Sequence, residues 1–180
     1  MRSQVALKVL KKSWWILFVI LSIVFLAGYV PAEAAIPKEG SLAIVVGGVD
    51  EMHSLTAQAI FLRELRANGY KVVDEKTLNS MRRSEAGRLA LQGDVDAIMR
   101  LSSRYGIKTF VTAYIRAGQP IINEFKLYTG TASIAVEARS GANMIYGDTA
   151  SGKQVGYSPD EAAQKSIEAA ATLAAKKLTQ

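Results

Sequence analysis

Asp50, Glu51 and His53 fall within four positions of one another, just after the apolar run LAIVV at 42–46. In an α/β chain this is the mouth beyond a strand's carboxyl end, where ligands often bind. A metal reading of this group would need a third ligand from elsewhere in the chain. His53 is the sole histidine and the sequence has no cysteine. Multi-histidine and thiolate sites are therefore excluded, and no metal motif has this spacing. The simpler reading is a solvated loop whose acids favour the start of a helix. A Ser-His-Asp hydrolase would have to use His53, and no G-x-S-x-G elbow is present. Gly47-Gly48 before a helix could cradle a phosphate. Neither G-x-G-x-x-G nor a following Lys-Ser/Thr pair accompanies it, so both nucleotide fingerprints fail. Arg82, Arg83 and Arg88 form a local basic cluster able to meet an anionic partner, partly balanced by Glu85. The residues point to no catalytic machinery, no metal and no cofactor.

Charge narrows the partners further. The 180 residues carry 22 Lys and Arg against 16 Asp and Glu, a net charge of +6. Arg2, Lys8, Lys11, Lys12 and Glu33 lie before residue 35, which leaves 18 against 15, or about +3, for the remainder. Clustered basic residues are what nucleic acid requires, so nucleic acid is not expected as a partner. Without cysteine the chain can form no disulfide, and no residue is available for lipidation as in a lipoprotein.

The N-terminus has the order of an export signal. Four cations precede SWWILFVILSIVFLAGYV, which carries no charge, and Pro31 then breaks any helix. Ala32-Glu33-Ala34 places small residues where signal peptidase reads, so cleavage is expected between Ala34 and Ala35. Residues 1–34 are thus read as a signal peptide, and 35–180 as one periplasmic domain. The competing reading is an uncleaved anchor, because the seventeen uncharged residues 14–30 reach the lower limit for crossing a bilayer. The domain would then face the periplasm from the inner membrane, touching the membrane only through 14–30.

The elements that would position these residues follow from periodicity. Leu42–Val46 reads as a strand buried on both faces. Leu55, Ala59, Leu62 and Leu65 share a helical face, with Ser54 as its cap and Gly69 as its close. The strand YKVV at 70–73 completes a crossover with a parallel pair. Residues 75–91 are helical in composition but interrupted by Gly87. A helix opened by Asp94 buries Ala97, Ile98, Leu101 and Tyr105 and ends at Gly106. Strands follow at 107–116 and 124–139. In the second, the apolar residues change phase between Leu127 and Ile134, so a bulge is expected at Gly130. Ser140-Gly141 turns into a partner strand at 143–150. Ser158-Pro159-Asp160-Glu161 is a capping box opening an alanine-rich helix whose small face (Ala163, Ile167, Ala170, Ala174, Leu178) suits close approach to a sheet. The order β-α-β-(α)-α-β-β-β-α gives an α/β (α+β) class with a mixed sheet.

Taken together, LAIVVGG, RANGYKVVDE, DVDAIMRLSSRYGIKTFVTAYI, YTGTASIAVEARSGANMIYGDTASG and SPDEAAQKSIEAAATLAAKKL resemble the periplasmic α/β domains of flagellar assembly protein T, the curli-secretion lipoproteins and the TolB N-terminal group. The resemblance covers nearly all of 41–178 and implies a non-enzymatic role in building or supporting an envelope structure. The chain departs from the lipoproteins in lacking the lipidated cysteine, and from the pore-forming members in lacking a membrane-inserting strand pair. An envelope protein partner is the main expectation, with self-association as a second route. The hairpin 124–150 is placed near a sheet edge, and Thr129, Thr131 and Ser133, with Arg82 and Arg83, are the candidate partner-binding residues. A small hydrolase or ligand-binding enzyme is the remaining alternative, one that needs acids converging around Asp50, Glu51 and His53.

The exported protein is predicted to begin at Ala35. Its intact mass from the native host should match 35–180, whereas a full-length mass confined to the inner membrane would mean an uncleaved anchor.

Overall fold

The computed structural model describes residues 36–48 and 50–180. The expected signal segment, its cleavage residues Ala32, Ala34 and Ala35, and the anchor alternative lie outside the described residues. Among those described, the chain runs β1 (Ser41–Gly47), α1 (Glu51–Ala67), β2 (Lys71–Val72), α2 (Glu75–Arg83), α3 (Glu85–Leu91), α4 (Val95–Tyr105), β3 (Thr109–Ala117), β4 (Ile121–Ile122), β5 (Tyr128–Ser140), β6 (Asn143–Gly156) and α5 (Pro159–Thr179). The mixed α/β class is as expected, with one further short strand and the 75–91 segment split into two helices.

β1 pairs in parallel with β2 on one side and β3 on the other. Its residues Leu42 to Val46 are fully buried, which accounts for the unbroken apolar run. β5 then runs antiparallel to β3, and β6 antiparallel to β5 along its whole length. β4 follows β3 along the same side of β5, at Tyr128 and Thr129. β6 is thus the outer strand, and its far side pairs with no other strand among the described residues.

Three local expectations change. The cap of α1 is Asp50, whose side chain accepts from the His53 N–H at 2.8 Å, and not Ser54. Ser54 lies one turn inside, buried, donating its hydroxyl to the Asp50 carbonyl at 2.7 Å. The inward face also differs from the expected one: Ser54, Ala57, Gln58, Phe61, Leu62 and Leu65 are buried, while Leu55 and Ala59 face out. Phe61 sets this phase, because its full burial contributes about 2–3 kcal/mol. Second, Gly87 interrupts no helix. Ser84 ends α2 and caps α3 through the Gly87 N–H at 3.0 Å. Gly87 is needed there because a Cβ would stand 1.9 Å from the Met81 carbonyl oxygen.

Third, the expected bulge at Gly130 is absent. Gly130 pairs regularly with Gln154, and the register slips instead between Ala138 and Arg139, where Ile145 is the extra residue of β6. The phase change in the sequence arises because Phe125 and Leu127 precede the strand. They belong to a turn built on Asn123, whose Oδ1 accepts from both Phe125 and Leu127 N–H groups at 3.0 and 3.1 Å. Gly130 is a glycine for another reason: a Cβ on it would lie 2.3 Å from the Ala162 carbonyl oxygen of α5. Gly152 and Gly156 on β6 are in the same position, 2.2 Å from the Ser166 carbonyl oxygen and 2.6 Å from the Ala162 N–H.

α5 therefore lies backbone to backbone across β5 and β6. It buries Ala162, Ser166, Ile167, Ala170, Ala171, Ala174, Ala175 and Leu178. Its start is fixed by Ser158, which accepts from the Glu161 N–H at 3.2 Å, while Glu161 reaches back to the Tyr157 N–H at 2.7 Å. This is a capping box displaced by one residue. α1 packs beside α5 on the same face of the sheet, and α2, α3 and α4 cover β1 and part of β3 on the other.

Gly152→Ala is expected to lower stability by about 1–3 kcal/mol, since neither backbone can withdraw without breaking its own hydrogen bonds. Gly147→Ala, on the same strand but 3.4 Å from only the Met144 sulfur, should change it by less than about 0.5 kcal/mol. Urea unfolding of the two variants checks this, and equal losses would refute the close-approach explanation.

Candidate functional site

The acid and histidine group after β1 is bound up in structure. Asp50 Oδ1 takes the His53 N–H and Oδ2 contacts His53 Nδ1 at 2.5 Å. The backbone N–H of His53, and then its ring, hold the Asp50 carboxyl below the usual carboxylate range. Glu51 turns away and meets Arg82 Nη2 at 2.9 Å and Arg83 Nη2 at 3.0 Å. Those guanidinium groups, Arg83 first, lower the Glu51 carboxyl in the same way. Among the described residues no three His, Cys, Asp or Glu side chains group as metal ligands would. The arrangement ties the first turn of α1 to the end of α2. Arg82, with its side chain 10% exposed, and Arg83 thus share an internal acid, which lowers what they can offer a partner.

Thr129, Thr131 and Ser133 fall on β5, and β5 is an inner strand over the stretch where β3 and β6 flank it. Thr131 is exposed and Ser133 half-buried, both on the sheet face opposite α5, while Thr129 accepts from Asn123 Nδ2 at 3.4 Å. Their backbones are committed to the sheet. The hairpin does border the sheet, but the free border belongs to β6.

Two hydrogen bonds show which way the β6 backbone points. The Thr149 N–H donates to the Asp148 carboxylate at 2.7 Å, away from β5. The Thr131 carbonyl accepts from the Gly118 N–H at 2.9 Å on the β3 side of β5, so its partner Lys153 also forms a non-bonded pair. Alternation along an antiparallel ladder then directs the N–H and C=O groups of Thr149, Ser151, Lys153 and Val155 outward. Asp148 caps the first of these donors and is itself held by Lys177 Nζ at 2.8 Å, whose ammonium is the main cause of its lowered carboxyl. Ser151, Lys153 and Val155 remain as a short row of outward donors. Sequence reasoning missed this row because it ended the strand at Ala150; the signal was the alternation Ala150, Gly152, Gly156 opposite an alanine-rich helix.

Concavities lie near this region among the described residues. Beside the edge, a groove of about 440 Å³ lies between Gln154 of β6 and Lys165, Glu168, Ala169, Thr172, Leu173 and Lys176 of α5. On the opposite sheet face, a cleft of about 420 Å³ spans β3, β5 and β6. A wider one of about 710 Å³ lies between that face and the α3–α4 turn, at Leu91, Gln92, Gly93, Tyr114 and Glu137. Asp50, Glu51 and His53 line none of these three. No helix among the described residues is long and apolar enough to cross a membrane.

No family profile matches the chain, and no curated protein matches it. Among solved structures it is similar to lipoprotein GNA1162 from Neisseria meningitidis, with 13% identity and a TM-score of 0.49 over 66% of this chain and 85% of that one. It is similar to hypothetical protein CT253 from Chlamydia trachomatis, with 12% identity and a TM-score of 0.49 over 77% and 92%. It is also similar to the PelC dodecamer from Paraburkholderia phytofirmans, with 8% identity and a TM-score of 0.46 over 81% and 93%. The structural neighbours thus include bacterial lipoproteins, at a distance from which no function is transferred.

The lowered carboxyls of Asp50, Glu51, Asp74, Asp148 and Glu161 have a common consequence. Each sits below its unfolded value, so its contribution is present above the ordinary carboxylate range and lost as pH falls through the folded value. The urea midpoint should be flat from about pH 8 to about pH 6 and fall toward about pH 3. His53→Ala should cost less than about 0.5 kcal/mol, because the cap bond to its backbone survives, whereas Asp50→Ala should cost about 1 kcal/mol. A His53 variant that lost tight divalent-metal binding would reinstate the metal reading.

Proposed function

We propose that this is an exported, non-enzymatic module of the cell envelope that takes an extended segment of a partner protein onto the outer edge of β6. The export reading rests on the N-terminal cations, the uncharged run and Ala32-Glu33-Ala34. The observation that carries the binding reading is the row of outward donors at Ser151, Lys153 and Val155, on a strand of 14 residues. An added strand continues the ladder there, and main-chain hydrogen bonds supply affinity while alternate side chains supply specificity.

The partner's chemistry follows from the groove beside the edge. Ala169 and Leu173 give it an apolar floor, and Lys176 stands on its rim with no ion-pair partner among the described residues. Lys165 on the same rim is already bound to Glu161 at 2.7 Å. The segment that fits is extended, apolar at alternate positions toward α5, and acidic near Lys176. The sequence resemblance suggests a flagellar or secretion structure as its owner. An anchored form of the same module would present the same edge to the periplasm.

Ser151→Pro is the direct test, because it deletes an outward donor without taking a bond from the β5–β6 ladder. Circular dichroism should show it folded, and the envelope protein captured by the wild-type full chain should be lost. The amides of Ser151, Lys153 and Val155 should exchange more slowly in the wild-type complex. A folded Ser151→Pro chain that captures the same protein at wild-type yield would overturn the proposal. Ser133→Pro, on the inner strand, should unfold the sheet.

A further inference from the structure

The cleft on the bare sheet face has a composition that the strand-docking reading leaves unused. Register puts Arg116, Ser133 and Ser151 in one row across β3, β5 and β6, and Thr131 beside Lys153 in the next. Paired residues project from the same face, so these five side chains rise together from a sheet surface that no helix among the described residues covers. Arg116, Thr131, Ser133, Ser151 and Lys153 line the cleft with Ala117, Ala132 and two glycines, and no carboxylate lines it.

Two further details make the place more than a polar patch. Neither Arg116 nor Lys153 has a carboxylate within ion-pair distance among the described residues, whereas Arg139 of β5 and Lys165 and Lys177 of α5 each have one. The Arg116 guanidinium lies 6.0 Å from the centre of the Tyr114 ring on the same face, a stacking that limits where it can point. Gly118 supplies the room. A Cβ there would come within 2.7 Å of the Thr131 hydroxyl oxygen, so a larger residue would crowd that hydroxyl.

We propose that this cleft binds a phosphate group. A planar guanidinium fork, a lysine point charge and three hydroxyl donors match the several acceptor oxygens of a phosphate, singly charged as a diester and nearly doubly charged as a monoester, better than a single carboxylate. The bare sheet leaves the rest of a phosphate-bearing molecule free to extend over Tyr114 toward the wider cleft. That molecule is either a soluble phosphate ester or a phospholipid headgroup, and the chemistry read by the five side chains is common to both.

The test follows amide chemical shifts of the full chain in neutral detergent micelles. Inorganic phosphate and glycerol phosphate are titrated in one arm, and the micelles are doped with phosphatidylglycerol in the other. Saturable shifts centred on Arg116, Thr131, Ser133, Ser151 and Lys153 are expected in at least one arm. A response in the first arm assigns a soluble ester, and a response confined to the second assigns a headgroup. Arg116→Gln with Lys153→Gln should weaken the response about tenfold or more, whereas Arg63→Gln on the outer face of α1 should leave it unchanged. Shifts in neither arm, or equal weakening by Arg63→Gln, would overturn the proposal. Capture of a protein strand at β6 should survive Arg116→Gln, so failure here is distinguishable from failure of the strand-docking reading.

Discussion

The fold depends on how closely α5 lies on the backbone of β5 and β6. Gly130, Gly152 and Gly156 each leave a space that a methyl group would fill with helix backbone. The helix answers with Ala162, Ala170, Ala171, Ala174 and Ala175. Small residues on both sides bring the two backbones together, so dispersion between main chains replaces the usual interlock of large side chains. The larger core residues Phe61, Ile44 and Leu65 are gathered further in, where α1 packs against the sheet, and Phe110 is buried on the other face. A domain without cysteine has to fix its last strand by packing alone, and this contact does so.

From that contact follows what the sheet leaves free. A helix laid flat on one face of β5 and β6 steadies β6 without pairing its outer edge. Among the described residues it also leaves the opposite face of β3, β5 and β6 without a layer, because α2, α3 and α4 are spent on covering β1 and the start of β3. Native proteins usually blunt such an edge. Here the bulge at Ile145 and the Asp148 carboxylate, steadied by Lys177, do so at the hairpin end only. The protected and unprotected parts of one strand lie side by side, and the unprotected part borders both the groove on α5 and the cleft on the open face.

Much of this was legible in the sequence, and the misses share a cause. The buried strand at Leu42–Val46, the caps at Asp94 and Ser158 and the close of α4 at Gly106 are local signals, and the structure has them. The class and the mixed sheet follow from their order. Glycines were harder. A glycine that ends a helix and a glycine that admits a neighbouring backbone look alike in sequence, and Gly87 and Gly130 are both of the second kind. Reading Gly130 as a bulge also hid the turn on Asn123 that sets the start of β5. The site suffered most, because which strand is outermost depends on long-range pairing. Thr131 and Ser133 were placed on the right hairpin but on its inner strand, and the acids after β1 that drew attention serve as a cap and an ion pair.

Amide hydrogen exchange along β6 addresses the central claim most directly, which is that α5 fixes this strand while its outer edge stays open. Protection should alternate from Gly147 to Gly156. The inward amides, Ala150 among them, should exchange near the global unfolding rate, and those of Ser151, Lys153 and Val155 orders of magnitude faster. Fast exchange at every position would mean that α5 does not hold the strand. Slow exchange at every position in the isolated chain would mean that the edge is already covered, and either result would contradict the account.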